Sequence, residues 1–291
     1  MKTPMNDEIN QKVSVYMPTK NRRELLSLAI NSVLNQTHKN IELIVVNDGS
    51  TDDTEDYLTQ LALSDERVKV INNKKSVGAP ASRNKAIIEA TGNFITGLDD
   101  DDYFHKSRIE ILIKHWVNFK NLEMPVSCLY TQDVRFNSKN EKNESKKISR
   151  AYTNDFYTMN PVGNQVFAPK NYYIEAGLFD EELPAWQDLD MFYRIIEKFG
   201  CARLIDMPLY YFFDDDRTDR ISKNSEKVKR AAEIMIRKHA QGNKKVTNLF
   251  LSQVYAHHYG YKPTLKDISK FAISDLSDLK LVIKMLKKSI F

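Results

Sequence analysis

Short β-branched runs alternate with helical patterns through the first hundred residues, and that alternation leaves the chain few architectures to adopt. Residues 13–17, 41–46, 68–71 and 93–98 read as strands; 22–35, the segment after Thr51, and 79–90 read as the helices between them. Successive βαβ units require a mainly parallel sheet covered by helices on both faces. Ligands of such sheets gather at the carboxyl ends of the strands, so chemistry is to be sought there.

The fourth strand runs directly into Asp99, Asp100, Asp101 and Asp102. Four adjacent carboxylates repel one another, and burial without a counter-cation would force at least one to take a proton. A bound divalent ion is the economical explanation. Oxygen ligands on a tight turn suit Mg²⁺ or Mn²⁺, completed by water and substrate phosphates, which points to a diphosphate substrate. The alternative is a solvated acidic turn, or a helix N-terminus where aspartates favour the dipole. The other strand ends are polar too. The first closes on Pro18, Thr19, Lys20, Asn21 and Arg22; the second on Asp48 and Gly49, with Ser50 or Thr51 placed to cap the next helix; the third leads to Gly78, Ser82, Arg83 and Asn84. An Asp at position 48 can accept hydrogen bonds from a base or ribose.

The second half is mixed. Residues 136–152 are polar without an apolar period, as in a surface loop or an acceptor-site lid. Strand-like 165–168, helices near 171–176 and 189–199, and strands near 202–205 and 209–213 follow. From about Ser225 the pattern is helical. The net charge is only +4, but from Lys223 onward fifteen Lys and Arg face five Asp and Glu, so the tail is basic and the rest net acidic. An anionic membrane surface suits such a tail better than nucleic acid, for which no binding module is legible. Leu279, Val282, Ile283, Leu286 and Ile290 fall on one helical face and Lys280, Lys284, Lys287 and Lys288 on another, which fits either peripheral attachment or packing on the body. Cys128 and Cys201 stand alone in apolar sequence and read as buried thiols; the histidines, His257 and His258 included, lack zinc-ligand spacing. With no apolar run of membrane-spanning length and a polar start, the expected location is cytoplasmic; if the tail attaches peripherally, it does so at the cytoplasmic face of the inner membrane.

Taken in order, residues 13–18 with Asn21 and Arg22, the run 32–37, Val45 to Asp52, Gly78 to Asn84, Leu98 to Asp102, Gly177 to Glu181 and Trp186 to Asp190 resemble glycosyltransferase family 2 over roughly residues 12–215. The resemblance implies an α/β GT-A (Rossmann-like) domain over 1–222, with a nucleotide-sugar half near 12–102 and an acceptor half near 103–222, followed by a basic helical extension over 223–291. It also implies a nucleotide-sugar donor, UDP-linked, a divalent metal, and inversion at the anomeric carbon. Carried over by position, Pro18, Thr19, Asn21, Arg22, Asp48, Arg83, Asp99 and Asp100 would contact the nucleotide. Asp99 and Asp101 match the family's D-x-D pair, with Asp101 the direct metal ligand, and Asp188 matches its catalytic base. Gln187 stands where that family often has Glu. Trp186 would either stack on an acceptor sugar or anchor the core, and Arg217 and Arg220 would either reach the diphosphate or make surface ion pairs.

The implied reaction transfers a hexose or N-acetylhexosamine to a hydroxyl of a saccharide or lipid-linked saccharide in O-antigen or capsule synthesis. An inactive sugar-nucleotide-binding or scaffold protein on the same fold is the alternative. A nucleotidyltransferase or nicotinamide dehydrogenase is disfavoured, since no Gly-rich phosphate loop follows the first strand.

Overall fold

The computed structural model describes residues 9–137, 142–214, 224–256, 259–271, 273 and 276–290. The chain divides into two compact units: Met1–Tyr152, Pro161–Glu181 and Met191–Asp216 form the first, and Thr153–Asn160, Glu182–Asp190 and Arg217–Phe291 the second.

In the first unit, β1 (Val13–Thr19), β2 (Ile41–Asn47), β3 (Val68–Asn72) and β4 (Phe94–Gly97) are parallel, and β9 (Ala168–Pro169) adds an antiparallel edge, in the order β3-β2-β1-β4-β9. Helices α1 (Arg23–Leu34), α2 (Thr54–Ser64) and α3 (Ala79–Glu89) connect them as the alternation requires. Every residue of β2 is buried, so Leu43 to Val46 read as an apolar run with no polar face, between the buried polar Glu42 and Asn47. In α1, Leu26, Ala29, Ile30 and Val33 recur at i, i+3, i+4 and i+7 and close over Val13, Val15 and Met17 of β1. Each such buried aliphatic side chain stabilises the fold by roughly 1.5–3 kcal/mol. Because β2 and β3 lie on one side of β1 and β4 on the other, the strand order reverses between β1 and β4, and a crevice at their carboxyl ends is the geometric result.

A second sheet has the order β5-β10-β6-β7, from β5 (Tyr103–Phe104), β6 (Leu129–Asn137), β7 (Lys142–Glu144) and β10 (Ala202–Asp214), with β8 (Arg150–Ala151) also pairing β10. Between β5 and β6 runs α4 (Arg108–Asn121), buried through Ile109, Leu112, Ile113, Trp116 and Val117, and the short α5 (Lys170–Glu175) follows β9. The two strands expected near 202–205 and 209–213 are one strand whose register shifts around Pro208, which lacks an N–H for the ladder. The segment expected as a loop over 136–152 contains β7, exposed on both faces but paired to β6, and a half-buried Lys147 that pairs with Asp133. Residues 138–141 of it lie outside the described residues. Both cysteines are free and buried, and burial pushes the Cys128 thiol up to about 12.

At the opposite strand ends, the buried Glu42 accepts from Ser14 Oγ, Thr91 N, Thr91 Oγ1 (2.8 Å) and Gly92 N (3.1 Å) and pairs with Lys12. Burial opposes its ionisation, but these donors outweigh burial and bring its pKa from 4.5 down to about 2. A depressed carboxylate stabilises the fold above its unfolded pKa, and that contribution is lost as pH falls from about 4.5 through 2. Glu42→Gln is therefore expected to cost about 2 kcal/mol near neutral pH, discounted for solvent screening. The gap to wild type should narrow below pH 4.5, as urea unfolding at both pH values would show; a pH-independent gap would contradict it.

In the second unit, α7 (Ser225–His239) buries Val228, Ala231, Ala232 and Met235, and Tyr157 meets Phe250 of α8 (Lys244–Gln253) edge-on at 5.4 Å. Asn224 and Asn243 cap these helices with their side-chain oxygens. After the short α9 (Leu265–Ile268), α10 (Leu276–Ile290) divides differently from the expected faces: Val282 and Met285 are buried, Asp278 accepts from Asn248 Nδ2 (2.7 Å) and Lys288 donates to Tyr255 O, whereas Leu276, Leu279 and Ile283 are exposed. Lys280, Lys284 and Lys287 are exposed with them. Among the described residues no helix is long and apolar enough to cross a membrane.

Candidate active site

The four aspartates follow β4 at the β1/β4 reversal, and each has a partner from elsewhere in the first unit. Arg83 Nη2 donates to Asp99 Oδ1 at 3.0 Å. Thr19, the last residue of β1, donates its hydroxyl to Asp100 Oδ2 at 2.7 Å. Arg22 Nη1 bridges Asp100 Oδ1 (3.2 Å) and Asp101 Oδ2 (2.9 Å). Tyr210 of β10 donates to Asp102 Oδ2 at 2.6 Å. Burial pushes Asp100 up to about 7, against the pull of Arg22 and with the push of Asp101. The cluster is thus offset by two guanidinium groups and a readily protonated carboxyl. The rise at Asp100 is the proton uptake expected where adjacent carboxylates are buried together.

The case for a cation rests on the donor set instead. Asp100 and Asp102 are buried, while the side chains of Asp99 and Asp101 are 26% and 19% exposed. Two hard oxygen donors on one turn fit Mg²⁺ or Mn²⁺, which keep waters and bind substrate phosphates rather than needing an all-protein cage. Among the described residues no group of three or more His, Cys, Asp or Glu is arranged to hold a metal, so water and phosphate would complete the shell.

The neighbouring strand ends join this cluster. The backbone N–H of Asp48 donates to Thr19 O at 2.8 Å. Its carboxylate accepts from Ser76 Oγ (2.6 Å), Val77 N (2.8 Å), Gly78 N (2.9 Å) and Asn73 Nδ2 (2.8 Å). Burial works against ionisation, but those donors bring its pKa down to about 2. Asp48 therefore shapes the 73–78 loop with its own oxygens. Gly49 (φ 68°) must be glycine beside it, since a Cβ would lie 2.9 Å from Ser76 N. Asn21 adopts φ 52°, and its side chain accepts from Thr51 N at 2.7 Å. Ser50 and Thr51, the caps expected from the sequence, do not cap α2: the helix begins at Thr54, past both of them, and the Thr54 N–H is taken by Asp52 Oδ1 at 3.2 Å. Pro18 is half-buried at the end of β1.

Beneath the cluster lie residues that strand-end reasoning does not single out. Arg108 is fully buried, donates to Thr131 Oγ1, and sits over the rings of Phe104 (4.9 Å) and Tyr210 (5.4 Å). Burial lowers its pKa to about 10. Gln165 Nε2 lies 3.3 Å from Asp99 Oδ1.

In the second unit, α6 (Gln187–Phe199) contributes its first four residues. Trp186 precedes it with φ 60°, a left-handed conformation that is rare for so bulky a residue. The Trp186 side chain is buried and donates to Tyr259 OH at 2.6 Å, so the structure supports its role as an anchor rather than an open stacking face. Gln187 is buried and donates to Leu183 O at 3.1 Å. Asp188 is half-buried and accepts from Asn160 Nδ2 at 2.8 Å. Asp190 is fully buried, and its Oδ1 lies 2.8 Å from both Lys238 Nζ and His239 Nε2. Arg217 and Arg220 lie outside the described residues, as do His257 and His258.

Residues 14–170 match the family model described as Glycosyl transferase family 2. WcaA of Escherichia coli (strain K12), whose name assigns it to colanic acid biosynthesis, is 37% identical over 200 residues, which are 66% of this chain and 68% of WcaA. A glycosyltransferase of Rickettsia conorii (strain ATCC VR-613 / Malish 7) is 47% identical over 103 residues, 35% of this chain but 17% of that longer protein. S. aureus TarS 1-349, solved in complex with UDP-GlcNAc, aligns at a TM-score of 0.62 and 20% identity over 96% of this chain and 80% of that one, a likeness of fold. The family pattern covers more than half of the residues and contains every strand end that builds the aspartate cluster: this chain belongs to glycosyltransferase family 2.

Proposed function

We propose that this chain is an inverting, metal-dependent hexosyltransferase. It moves a hexose or N-acetylhexosamine from a UDP-sugar to a hydroxyl of a lipid-linked saccharide, in synthesis of a bacterial surface polysaccharide such as O-antigen or capsule. The observation that carries this reading is the aspartate cluster at the β1/β4 reversal, with Asp99 and Asp101 as its two solvent-reaching members. TarS, solved with UDP-GlcNAc, favours a uridine donor. WcaA, by its name, favours a surface polysaccharide product.

On this reading the nucleotide lies along Pro18, Thr19, Asn21, Arg22, Asp48, Arg83 and Asp100. A divalent cation on Asp99 and Asp101 would offset charge on the departing diphosphate. Arg22 and Arg83 hold those two carboxylates in place. Asp188 takes the acceptor hydroxyl proton while the hydroxyl oxygen bonds to the anomeric carbon. The bond from that carbon to the diphosphate oxygen breaks on the opposite side, UDP leaves with the electron pair, and the configuration inverts. Incubating the protein and Mn²⁺ with UDP-glucose, UDP-galactose and UDP-N-acetylhexosamines, with mass spectrometry of the products, tests the reading. One donor should be consumed with release of UDP; tight UDP binding without turnover on any donor or acceptor would favour a binding protein instead.

The exposed Leu276, Leu279 and Ile283, flanked by Lys280, Lys284 and Lys287, suit peripheral contact with anionic lipid at the cytoplasmic face of the inner membrane. Paired substitutions Leu279→Glu and Ile283→Glu leave the buried Val282 and Met285 in place. They should abolish salt-sensitive flotation with anionic vesicles, and equal flotation of variant and wild type would remove the membrane contact.

A further inference from the structure

Gln165 is buried, yet both ends of its amide are used. Its Oε1 accepts from Tyr16 OH at 2.6 Å, and its Nε2 faces Asp99 Oδ1 at 3.3 Å. Tyr16 projects from the middle of β1, 149 residues earlier, and is wedged edge-on against Tyr173 (6.4 Å) and Phe179 (5.9 Å), so its hydroxyl has little freedom. A phenol that donates to the amide oxygen leaves the amide nitrogen as the end that meets the aspartate.

The surroundings are shaped to admit this relay. A Cβ on Gly97 would lie 2.1 Å from Gln165 Oε1 and 2.2 Å from Tyr16 Cζ, so only glycine on β4 leaves room for the pair. The segment leading into Gln165 is pinned as well. Lys147 Nζ donates to Val162 O (3.1 Å) and Thr131 O (2.9 Å) and pairs with Asp133 at 2.6 Å. Gly163, at φ 88°, passes so close that a Cβ there would meet Lys147 Nζ at 2.4 Å. Together they fix one amide against one carboxylate oxygen.

Arg83 donates to the same oxygen of Asp99, and its charge partly cancels that of the carboxylate. If Arg83 turns to the nucleotide, its grip on Asp99 is lost, whereas a neutral amide can hold the carboxylate in both states without competing for a cation. Resting on the donor-site reading above, we infer that Gln165, oriented by Tyr16, is a positioning residue for the donor site: it holds Asp99 Oδ1 so that Oδ2 is presented to the cation and diphosphate.

The test is UDP binding at a series of Mn²⁺ concentrations, by calorimetry, on the full chain. Gln165→Leu should raise the Mn²⁺ concentration for half-maximal UDP binding about tenfold, the lower end for loss of a group that orients a metal ligand. Tyr16→Phe, which removes one hydroxyl and keeps the ring packing, should raise it about threefold. Since Tyr16 acts through Gln165, the double variant should be no worse than Gln165→Leu. Tyr255→Phe removes a buried phenol hydroxyl of the second unit, bonded to Asp267 and outside the relay, and should leave the Mn²⁺ dependence unchanged. A Gln165→Leu titration within about twofold of wild type, losses that add in the double variant, or an equal shift in Tyr255→Phe would overturn the inference. If Gln165→Leu does not fold, Tyr16→Phe against Tyr255→Phe decides the matter. A wild type that binds no UDP at any Mn²⁺ concentration would instead remove the donor-site reading, and this inference with it.

Discussion

Asp101→Ala is expected to lower turnover by at least about 10²-fold and to weaken UDP binding, because several kcal/mol of charge stabilisation at the diphosphate would go with it. Arg22 now lies 2.9 Å from Asp101 and 3.2 Å from Asp100, so in the variant it would settle wholly on Asp100. A diphosphate would then face Asp99 and Asp102 with repulsion in place of a bridging cation. Fold stability should change by no more than about 1 kcal/mol, since the lost ion pair is partly exposed and such pairs are weak. Loss of activity would therefore not be loss of fold. Chelation with EDTA should reproduce the defect in wild type and add little to the variant. Transfer that survives either treatment undiminished would remove Asp101 and its cation from the mechanism.

The strand-end chemistry is legible from the sequence because topology does most of the work. A parallel sheet delivers the residue after each strand to one edge whatever the intervening helices contain. Thr19, Arg22, Asp48, Arg83 and the four aspartates are brought together for that reason. What they do to one another is not legible. That Arg22 spans two aspartates, that Asp48 is saturated by the 73–78 loop, and that Asp100 is buried enough for its pKa to rise depend on distances of tenths of an ångström.

The residues behind the edge are hidden for a different reason. Tyr16 and Gln165 are separated by 149 positions, and Tyr210 and Asp102 by 108, so no local pattern joins them. A polar residue opening the apolar run 165–168 was the only hint. Helix α4 was legible, with apolar residues at 109, 112, 113, 116 and 117, although the strand-by-strand reading passes over it. The 136–152 segment misleads because β7 is exposed on both faces and held by backbone pairing, which leaves no alternation to read. The second unit draws on three stretches of chain joined by contacts such as Trp186 to Tyr259 and Asn248 to Asp278, and such pairings carry no signature in sequence.

Asp188→Asn separates catalysis from binding. On the proposed mechanism Asp188 is the base, and an amide of the same shape has no lone pair basic enough to take the acceptor proton. General-base assistance is typically worth about 10² to 10⁴ in rate, so kcat should fall by that much while UDP affinity changes little. The competing explanation is structural. Asp188 stands in the first turn of α6, where a negative charge favours the helix dipole, and Asn160 Nδ2 donates to it at 2.8 Å. Losing that charge would cost about 0.3–1 kcal/mol of stability, too little to unfold the protein. Asp190, two residues on, provides the contrast. It is fully buried between Lys238 and His239, so it cannot meet an acceptor, and Asp190→Asn would leave two basic side chains facing a neutral amide in the interior. Breaking such a pair costs about 3–5 kcal/mol, so Asp190→Asn should lower the unfolding midpoint far more than Asp188→Asn does. Thermal unfolding, UDP calorimetry and single-turnover transfer on both variants resolve the two roles. An Asp188→Asn protein that binds UDP and still transfers sugar within a few-fold of wild type would show that the proton leaves the acceptor by another route.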